Sequence, residues 1–321
     1  MVTRKKRISI LLYSHNPDYV DRYYNVIKKA KKGIQIFACK NKKEIEKYIR
    51  NADIIFSGHT FPVEYLGAAK QLRWIQSMSA GVENFVVATS LPPDVIITRI
   101  EGVFGPIMAE YVIGYMLAIT QNMKVVFENQ RRRAWQPFVV DSLCHKTVGI
   151  MGLGSIGAYI AYKVHLLGAE VVGFDEQIKR LPYIKSEYSS LELKEFLSKS
   201  DFVVVTMPLT HSTRGIIGEK ELDAMKRTAY LINISRGAVV RERDLIEALK
   251  QRKIAGAILD VFEEEPLPES HEYWLLDNLI ITPHIAGPSI PEDIAPFFIE
   301  NLKRFEENKP LRGIVDRTRG F

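Results

Sequence analysis

The chain has 321 residues, a net charge of +6, 46% hydrophobic residues and 26% charged ones. That length accommodates two domains with separate cores, and the balance is that of a globular protein rather than a disordered or fibrous one. The basic residues fall in short runs (Arg4 to Arg7, Lys28 to Lys32, Arg131 to Arg133) among many acids; no single basic face for nucleic acid is read, and solvated helix faces and termini account for the runs.

Cys39 and Cys144 make neither a metal spacing nor a disulfide framework, which fits a reducing cytoplasm and no metal site. Basic residues precede Ile8-Ser9-Ile10-Leu11-Leu12-Tyr13, but the apolar run stops at Ser14-His15-Asn16-Pro17 without a small-residue cleavage site. It is read as a first β-strand rather than a secretory signal. No apolar stretch approaches the roughly 18 residues of a membrane span, so no membrane partner is expected.

Strand and helix signals then alternate. Arg7 to Tyr13 reads as a strand and Asp18 to Lys32 as a helix stopped by Gly33. Ile34 to Ala38 is a strand, Lys42 to Arg50 a helix, and Asp53 to Ser57, Arg73 to Ser77 and Val95 to Thr98 are strands. Such alternation predicts a parallel sheet with helices on both faces. Pro106 to Asn122 is a long apolar helix with small residues at Ala109, Gly114 and Ala118, read as a connector packed between domains.

A second series begins at Lys146. Thr147 to Met151 is an apolar strand, Ser155 to Leu167 a helix ended by Gly168, and Glu170 to Phe174 a strand. Further strands read at Phe202 to Thr206, Tyr230 to Ile234, Gly256 to Asp260 and Leu279 to Ile281, with the buried, unalternating character of a parallel sheet covered on both faces. A last helix, Pro291 to Asn308, is expected to return to the first domain. The chain therefore reads as α/β, with two doubly wound parallel-sheet domains: residues 1–105 with 290–321, interrupted by residues 106–289.

The chemistry concentrates in the second series. Gly152-Leu153-Gly154-Ser155-Ile156-Gly157 has a strand before it, a helix after it and an acid about twenty residues on, the context a dinucleotide-binding turn requires. Gly152 permits the tight turn, Gly154 lets a pyrophosphate approach the backbone, and Gly157 lets the helix lie close to the strand. The helix N-terminus offers N–H groups to the phosphates. A glycine-rich turn without function is the plainer alternative. Asp175 closes the next strand, where a carboxylate accepts bonds from both adenosine ribose hydroxyls and repels a 2′-phosphate. NAD is favoured over NADP, with Lys179 and Arg180 nearby as the opposing consideration.

Arg236 follows a strand in Asn233-Ile234-Ser235-Arg236-Gly237, at the carboxyl end where ligands bind in such sheets. A guanidinium suits a planar carboxylate there, and taken alone it suits a surface ion pair equally well. His284, in Pro283-His284-Ile285-Ala286-Gly287, also follows a strand and can give a proton to a carbonyl oxygen or take it back. Glu265 ends the run Glu263-Glu264-Glu265 before Pro266. Such a run is ordinarily a solvated loop; a carboxylate bonded to the imidazole would favour its protonated form. His15 and His59 follow strands of the first domain and could border a cleft, whereas His145, His165, His211 and His271 read as surface or packing residues.

At this point several phrases match a known family in order. Thr147 to Gly157, Met207-Pro208-Leu209-Thr210, Asn233 to Gly237, Leu259-Asp260-Val261-Phe262, Glu265-Pro266-Leu267-Pro268 and Pro283 to Gly287 together resemble the D-isomer-specific 2-hydroxyacid dehydrogenases, which include glyoxylate/hydroxypyruvate reductases. The likeness is closest from Pro106 to Gly287 and looser in the first domain, where Ser79-Ala80-Gly81-Val82-Glu83-Asn84 carries it.

The resemblance implies a Rossmann NAD-binding domain inserted in a flavodoxin-like substrate domain. It implies Arg236 on the substrate carboxylate and carbonyl, His284 as acid/base with Glu265 as its partner, and backbone N–H groups of Ala80 and Gly81 completing the carboxylate site. It implies a cofactor bordered by Gly152, Gly154, Ser155, Ile156, Gly157, Asp175, Met207, Pro208, Ile234, Asp260, His284 and Gly287, with Asp260 on the nicotinamide carboxamide. It also implies a homodimer through the cofactor domain, with Trp135 placed to reach a neighbouring subunit. Two departures are visible: Glu83 stands where Asp is frequent, and Glu265 where the formate dehydrogenase branch has Gln. The activity implied is reduction of a small 2-oxoacid or oxidation of the 2-hydroxy acid. The alternative is an NAD(H)-sensing, corepressor-like binding protein of the same fold, which retention of Arg236, Glu265 and His284 together disfavours.

Overall fold

The computed structural model describes residues 7–320, so Arg4, Lys5 and Lys6 of the first basic run lie outside the described residues. The chain divides into two compact units. The first runs to Val103 and resumes at Ser289; the second is Phe104–Pro288.

The first unit contains β1 (Ser9–Tyr13), α1 (Pro17–Ala30), β2 (Gln35–Cys39), α2 (Lys42–Tyr48), β3 (Ile54–Ser57), β4 (Trp74–Ser77), α3 (Glu83–Val86) and β5 (Ile96–Thr98). All pairings are parallel, in the order β2-β1-β3-β4-β5, the flavodoxin-like arrangement. α1 begins one residue before its expected start. Pro17 occupies its first turn, where a missing N–H is harmless, and the Asn16 side chain accepts from the Asp18 N–H at 3.0 Å. The helix ends at Ala30, ahead of Gly33 at φ 84°.

The second unit contains α4 (Gly105–Thr120), α5 (Met123–Arg132), β6 (Thr147–Met151), α6 (Ser155–Leu166), β7 (Glu170–Phe174), β8 (Ser186–Tyr188), α7 (Leu193–Lys199), β9 (Phe202–Val205), α8 (Glu219–Ala224), β10 (Tyr230–Asn233), α9 (Glu242–Lys250), β11 (Gly256–Leu259) and β12 (Leu279–Ile281). Its sheet is parallel throughout, in the order β12-β11-β10-β9-β6-β7-β8. The order reverses beside β6, which creates the switch point where ligands bind in doubly wound sheets. Val203, Val204, Leu231 and Ile232 in the middle strands are fully buried, each stabilising the fold by about 1.5–3 kcal/mol. The expected uniform burial fails at the edge strands: β12 and β8 are half-exposed because each has a neighbour on one side alone.

α10 (Pro291–Glu306) belongs to the first unit and makes it discontinuous. Phe298 of α10 stacks on Phe56 of β3 at 4.2 Å between centroids, and Tyr23 of α1 meets Phe56 edge-on at 5.1 Å. The buried Asn301 of α10 donates to Gln76 Oε1 and to the Arg312 carbonyl, both at 3.0 Å, which ties the last helix and the tail to β4.

α4 ends at Thr120, two residues before its expected end, with Asn122 in the left-handed region at φ 51°. It is part of the second unit, where it packs on α6. One face, with Met108, Val112 and Met116, is buried, whereas Glu110, Gly114 and Leu117 are exposed. The described basic runs close helices: Lys28 and Lys29 lie in the last turn of α1, Arg131 and Arg132 in that of α5, where cations oppose the negative dipole end. Among the described residues no helix is long and apolar enough to cross a membrane.

Candidate active site

Because the second sheet is wholly parallel, the turns after β6, β7, β9, β10, β11 and β12 all leave one edge. The glycine turn follows β6. Gly152 has φ 98°, and a Cβ there would stand 2.7 Å from the Met207 amide nitrogen, so this turn lies against the one after β9. A Cβ on Gly157 would stand 1.9 Å from the Gly152 carbonyl oxygen; only glycine lets α6 approach this closely. A Cβ on Gly154 would meet open space. The N-terminus of α6, with Ser155 and Ile156 in its first turn, has no side-chain cap, which leaves N–H donors and the positive dipole end for an anion. Open room before uncapped donors fits the pyrophosphate of a dinucleotide.

Asp175, after β7, accepts from the Leu153 N–H at 2.6 Å through Oδ2 and from the Gln177 N–H at 3.0 Å through Oδ1. It therefore braces the glycine turn. The Lys179 and Leu181 amides both donate to the Glu187 carboxylate, which ties the segment around Arg180 to β8. After β9, Thr206 Oγ1 donates to the Gly152 carbonyl at 2.7 Å, and Pro208 offers its carbonyl to Thr213.

Arg236 follows β10 on a turn built by Asn233. The Asn233 side chain donates to the Arg236 carbonyl at 2.9 Å and accepts from the Ser235 N–H at 3.1 Å; Asn233 is 1% exposed. Ile234 is buried. The half-buried Arg236 places Nη1 2.6 Å from the Ser235 carbonyl. A Cβ on Gly237 would stand 2.1 Å from the Phe262 carbonyl carbon, so the Arg236 turn packs backbone to backbone against the segment leading to Glu265.

Glu265 and His284 are brought together. His284 Nδ1 lies 2.8 Å from Glu265 Oε2, while Glu265 Oε1 accepts from the Phe262 N–H at 3.0 Å. The two side chains are 38% and 34% exposed. The carboxylate can only accept, so Nδ1 carries the shared proton. Asp260 is 1% exposed, and its carboxylate accepts from Thr282 Oγ1 at 2.5 Å and from the Ile285 and Ala286 N–H groups at 2.9 Å each. It is thus the anchor of the turn that carries His284. Gly287, at the end of that turn, lies against Met108.

Ala80 and Gly81 lie in the first unit, on the turn after β4. Ser77 Oγ and Ser79 Oγ donate to the Gly81 carbonyl at 3.0 and 2.9 Å, which shapes the turn. In the same unit His15 Nδ1 is 3.5 Å from Thr60 Oγ1. In the second unit His271 Nδ1 accepts from the Tyr273 N–H while its Nε2 meets Glu242 at 3.1 Å, a packing role, and the exposed His145 pairs with Asp141 at the surface. Trp135 is 98% exposed.

Residues 113–286 match the model of the D-isomer specific 2-hydroxyacid dehydrogenase NAD-binding domain. The chain belongs to this family. A glyoxylate reductase of Thermofilum pendens is 34% identical over 261 residues, 78% of this chain and 76% of that protein. A crystal structure of a D-isomer specific 2-hydroxyacid dehydrogenase family protein from Aeromonas salmonicida superposes with a TM-score of 0.91 at 33% identity, covering 97% of this chain and all 100% of that one. The NADPH-dependent glyoxylate/hydroxypyruvate reductase of Sinorhizobium meliloti, solved with NADP and sulfate, gives 0.90 at 26% identity, covering 98% and 100%.

As a member of this dehydrogenase family the protein is an oxidoreductase acting on CH–OH groups, built from two parallel-sheet α/β domains of the Rossmann and flavodoxin-like kinds. Two residues of the site, Thr282 and Tyr111, escaped the sequence reading, and Asn233 was read without a role of its own. Asn233 was visible as the first residue of the Arg236 phrase; Tyr111 had no local signal, since its partner Thr282 is 171 positions away.

Proposed function

We propose that this dehydrogenase interconverts a small 2-oxoacid of the glyoxylate or hydroxypyruvate type and its 2-hydroxy acid, with NAD preferred to NADP. The observation that carries the reading is the 2.8 Å contact of His284 Nδ1 with Glu265, on turns that share one sheet edge with Arg236 and the glycine turn. The dinucleotide, when bound, supplies or accepts the hydride at its nicotinamide.

Arg236 holds the substrate carboxylate through its planar fork. In the reducing direction His284 donates the Nε2 proton to the carbonyl oxygen, and Glu265 keeps the ring oriented. In the first unit, the turn at Ala80 and Gly81 offers backbone donors to a carboxylate. The domain roles follow: residues 106–289 for the dinucleotide, residues 1–105 with 290–321 for the substrate. Asp175 favours NAD, since a carboxylate at that strand end repels a 2′-phosphate, although the Sinorhizobium relative is NADPH-dependent.

Pairing of two copies through the second unit is supported by the apolar side chains that α5 and the following segment expose: Phe127 at 56%, Trp135 at 98% and Val139 at 92%. Sedimentation of the purified protein tests this, with a dimer expected. A reducing, cytoplasmic location is supported by the unpaired thiols of Cys39 and Cys144. Oxidation of NADH and NADPH with glyoxylate, hydroxypyruvate and pyruvate tests the activity. Turnover of at least one of the first two, faster with NADH, is expected; no turnover of any 2-oxoacid would overturn the reading.

A further inference from the structure

His284 has φ 54°, a left-handed conformation that residues with a Cβ seldom adopt and that persists where surrounding structure enforces it. The enforcing contacts converge on Asp260. The His284 N–H donates to the Asp260 carbonyl at 2.9 Å, while the Asp260 carboxylate takes the Ile285 and Ala286 N–H groups and the Thr282 hydroxyl. Asp260 and Thr282 are 1% and 6% exposed.

Thr282 has one hydroxyl proton, and its contact with a carboxylate at 2.5 Å commits that proton to Asp260. Tyr111 Oη lies 2.6 Å from the same Thr282 oxygen, so the tyrosine must be the donor in that bond. Burial pushes the Tyr111 phenol above its usual range, which keeps the proton on it. The result is a one-way chain, Tyr111 O–H to Thr282 O–H to the Asp260 carboxylate, running from α4 to the turn that bears His284.

Resting on the reading of His284 as the acid/base, we propose that Tyr111 is a positioning residue for it. Acting through Thr282 and Asp260, it holds the 282–286 turn in the one conformation that aims the imidazole at Glu265 on one side and at the reacting oxygen on the other. Tyr111 acts through its bond to Thr282 and sets an angle.

The test uses the full-length protein and the variants Tyr111→Phe, Thr282→Val and Thr282→Ser. Tyr111→Phe keeps the ring and removes the donor. Its kcat for 2-oxoacid reduction is expected to fall about tenfold, since small misplacements of reacting groups are costly, with the Kd for NADH changed by less than about twofold. Thr282→Val should reproduce this, Thr282→Ser should recover most of the loss, and the Tyr111→Phe/Thr282→Val pair should be no worse than Thr282→Val alone, as for one shared chain. Wild-type kcat in folded Tyr111→Phe, or losses that multiply in the pair, would overturn the proposal.

A second readout does not depend on turnover. The imidazole NMR signals of His284, assigned by their loss in His284→Gln, should shift in Tyr111→Phe and return toward the wild-type position in Thr282→Ser relative to Thr282→Val. Unmoved signals would overturn the proposal. Moved signals in a protein that turns over no 2-oxoacid would uphold the positioning chain and overturn the functional reading on which its catalytic meaning rests.

Discussion

His284 Nδ1 and Glu265 Oε2 stand 2.8 Å apart, although 19 residues separate them and they leave the sheet from different strands. The contact commits one ring nitrogen to the carboxylate and fixes the plane of the ring. An exposed acidic run and a lone histidine become an oriented pair because Asp260 anchors the turn of the second and the Phe262 amide holds the carboxylate of the first.

Glu265→Gln keeps the shape and removes the charge. The neutral amide offers no carboxylate to the Nδ1 proton, so the bond that holds the ring at 2.8 Å is weakened. Reduction and oxidation use the same ring, and kcat should fall in both directions by roughly 10–100-fold, the cost of a misplaced reacting group. Turnover in both directions at saturating cofactor checks this. Wild-type kcat in both directions, with chemistry rate-limiting, would mean that Glu265 does not orient the ring.

Arg236→Lys tests geometry separately from charge. The ammonium keeps the charge and loses the fork. kcat/KM for the oxoacid should fall by roughly 10–100-fold, matching the loss of a charged hydrogen bond of about 1.5–3 kcal/mol, while NADH affinity stays near wild type. Turnover in the Lys variant equal to wild type would remove Arg236 from the carboxylate site.

Asp175→Ala should lower kcat/KM for NADH and raise the NADPH/NADH ratio. Two losses combine: the ribose acceptor and the brace on the Leu153 amide, made at 2.6 Å. NADH binding should weaken by about 1.5–3 kcal/mol, the value of charge-assisted bonds. A wild-type protein that prefers NADPH tenfold would overturn the assignment.

Gly237→Ala forces a methyl group to within 2.1 Å of the Phe262 carbonyl carbon. The backbones must separate, at a cost of about 1–3 kcal/mol for overpacking, and the Arg236 turn moves relative to the Glu265 segment. Both Tm and kcat should fall. Unchanged values of both would show that the two turns are not mechanically coupled.

The legibility of this chain in its sequence was uneven for physical reasons. Strands β1, β6, β7 and β9 are continuous apolar runs, and burial on both faces writes itself into composition. β8 is a three-residue polar edge strand, Ser186–Tyr188, with no such run. Helix α5 went unread because its apolar residues Met123, Val126 and Phe127 are few and exposed, and none of its residues is buried in a core. The site shows the same division. Gly152, Gly157, Arg236, Glu265 and His284 sit in phrases of their own. Asp260 was read as a cofactor contact through family resemblance alone; its work on the His284 turn, and that of Tyr111 on Thr282, exists only once β11, β12 and α4 are side by side.

The central claim is that His284, oriented by Glu265, is the acid/base of a 2-oxoacid reductase. Its most direct test is NADH-dependent reduction of glyoxylate and hydroxypyruvate by wild type and His284→Gln, with NADH binding measured on both. The wild type should turn over, and the variant should lose roughly 10²–10⁴-fold in kcat, the contribution of a general acid, while binding NADH as before. Turnover by His284→Gln at the wild-type rate would contradict the claim.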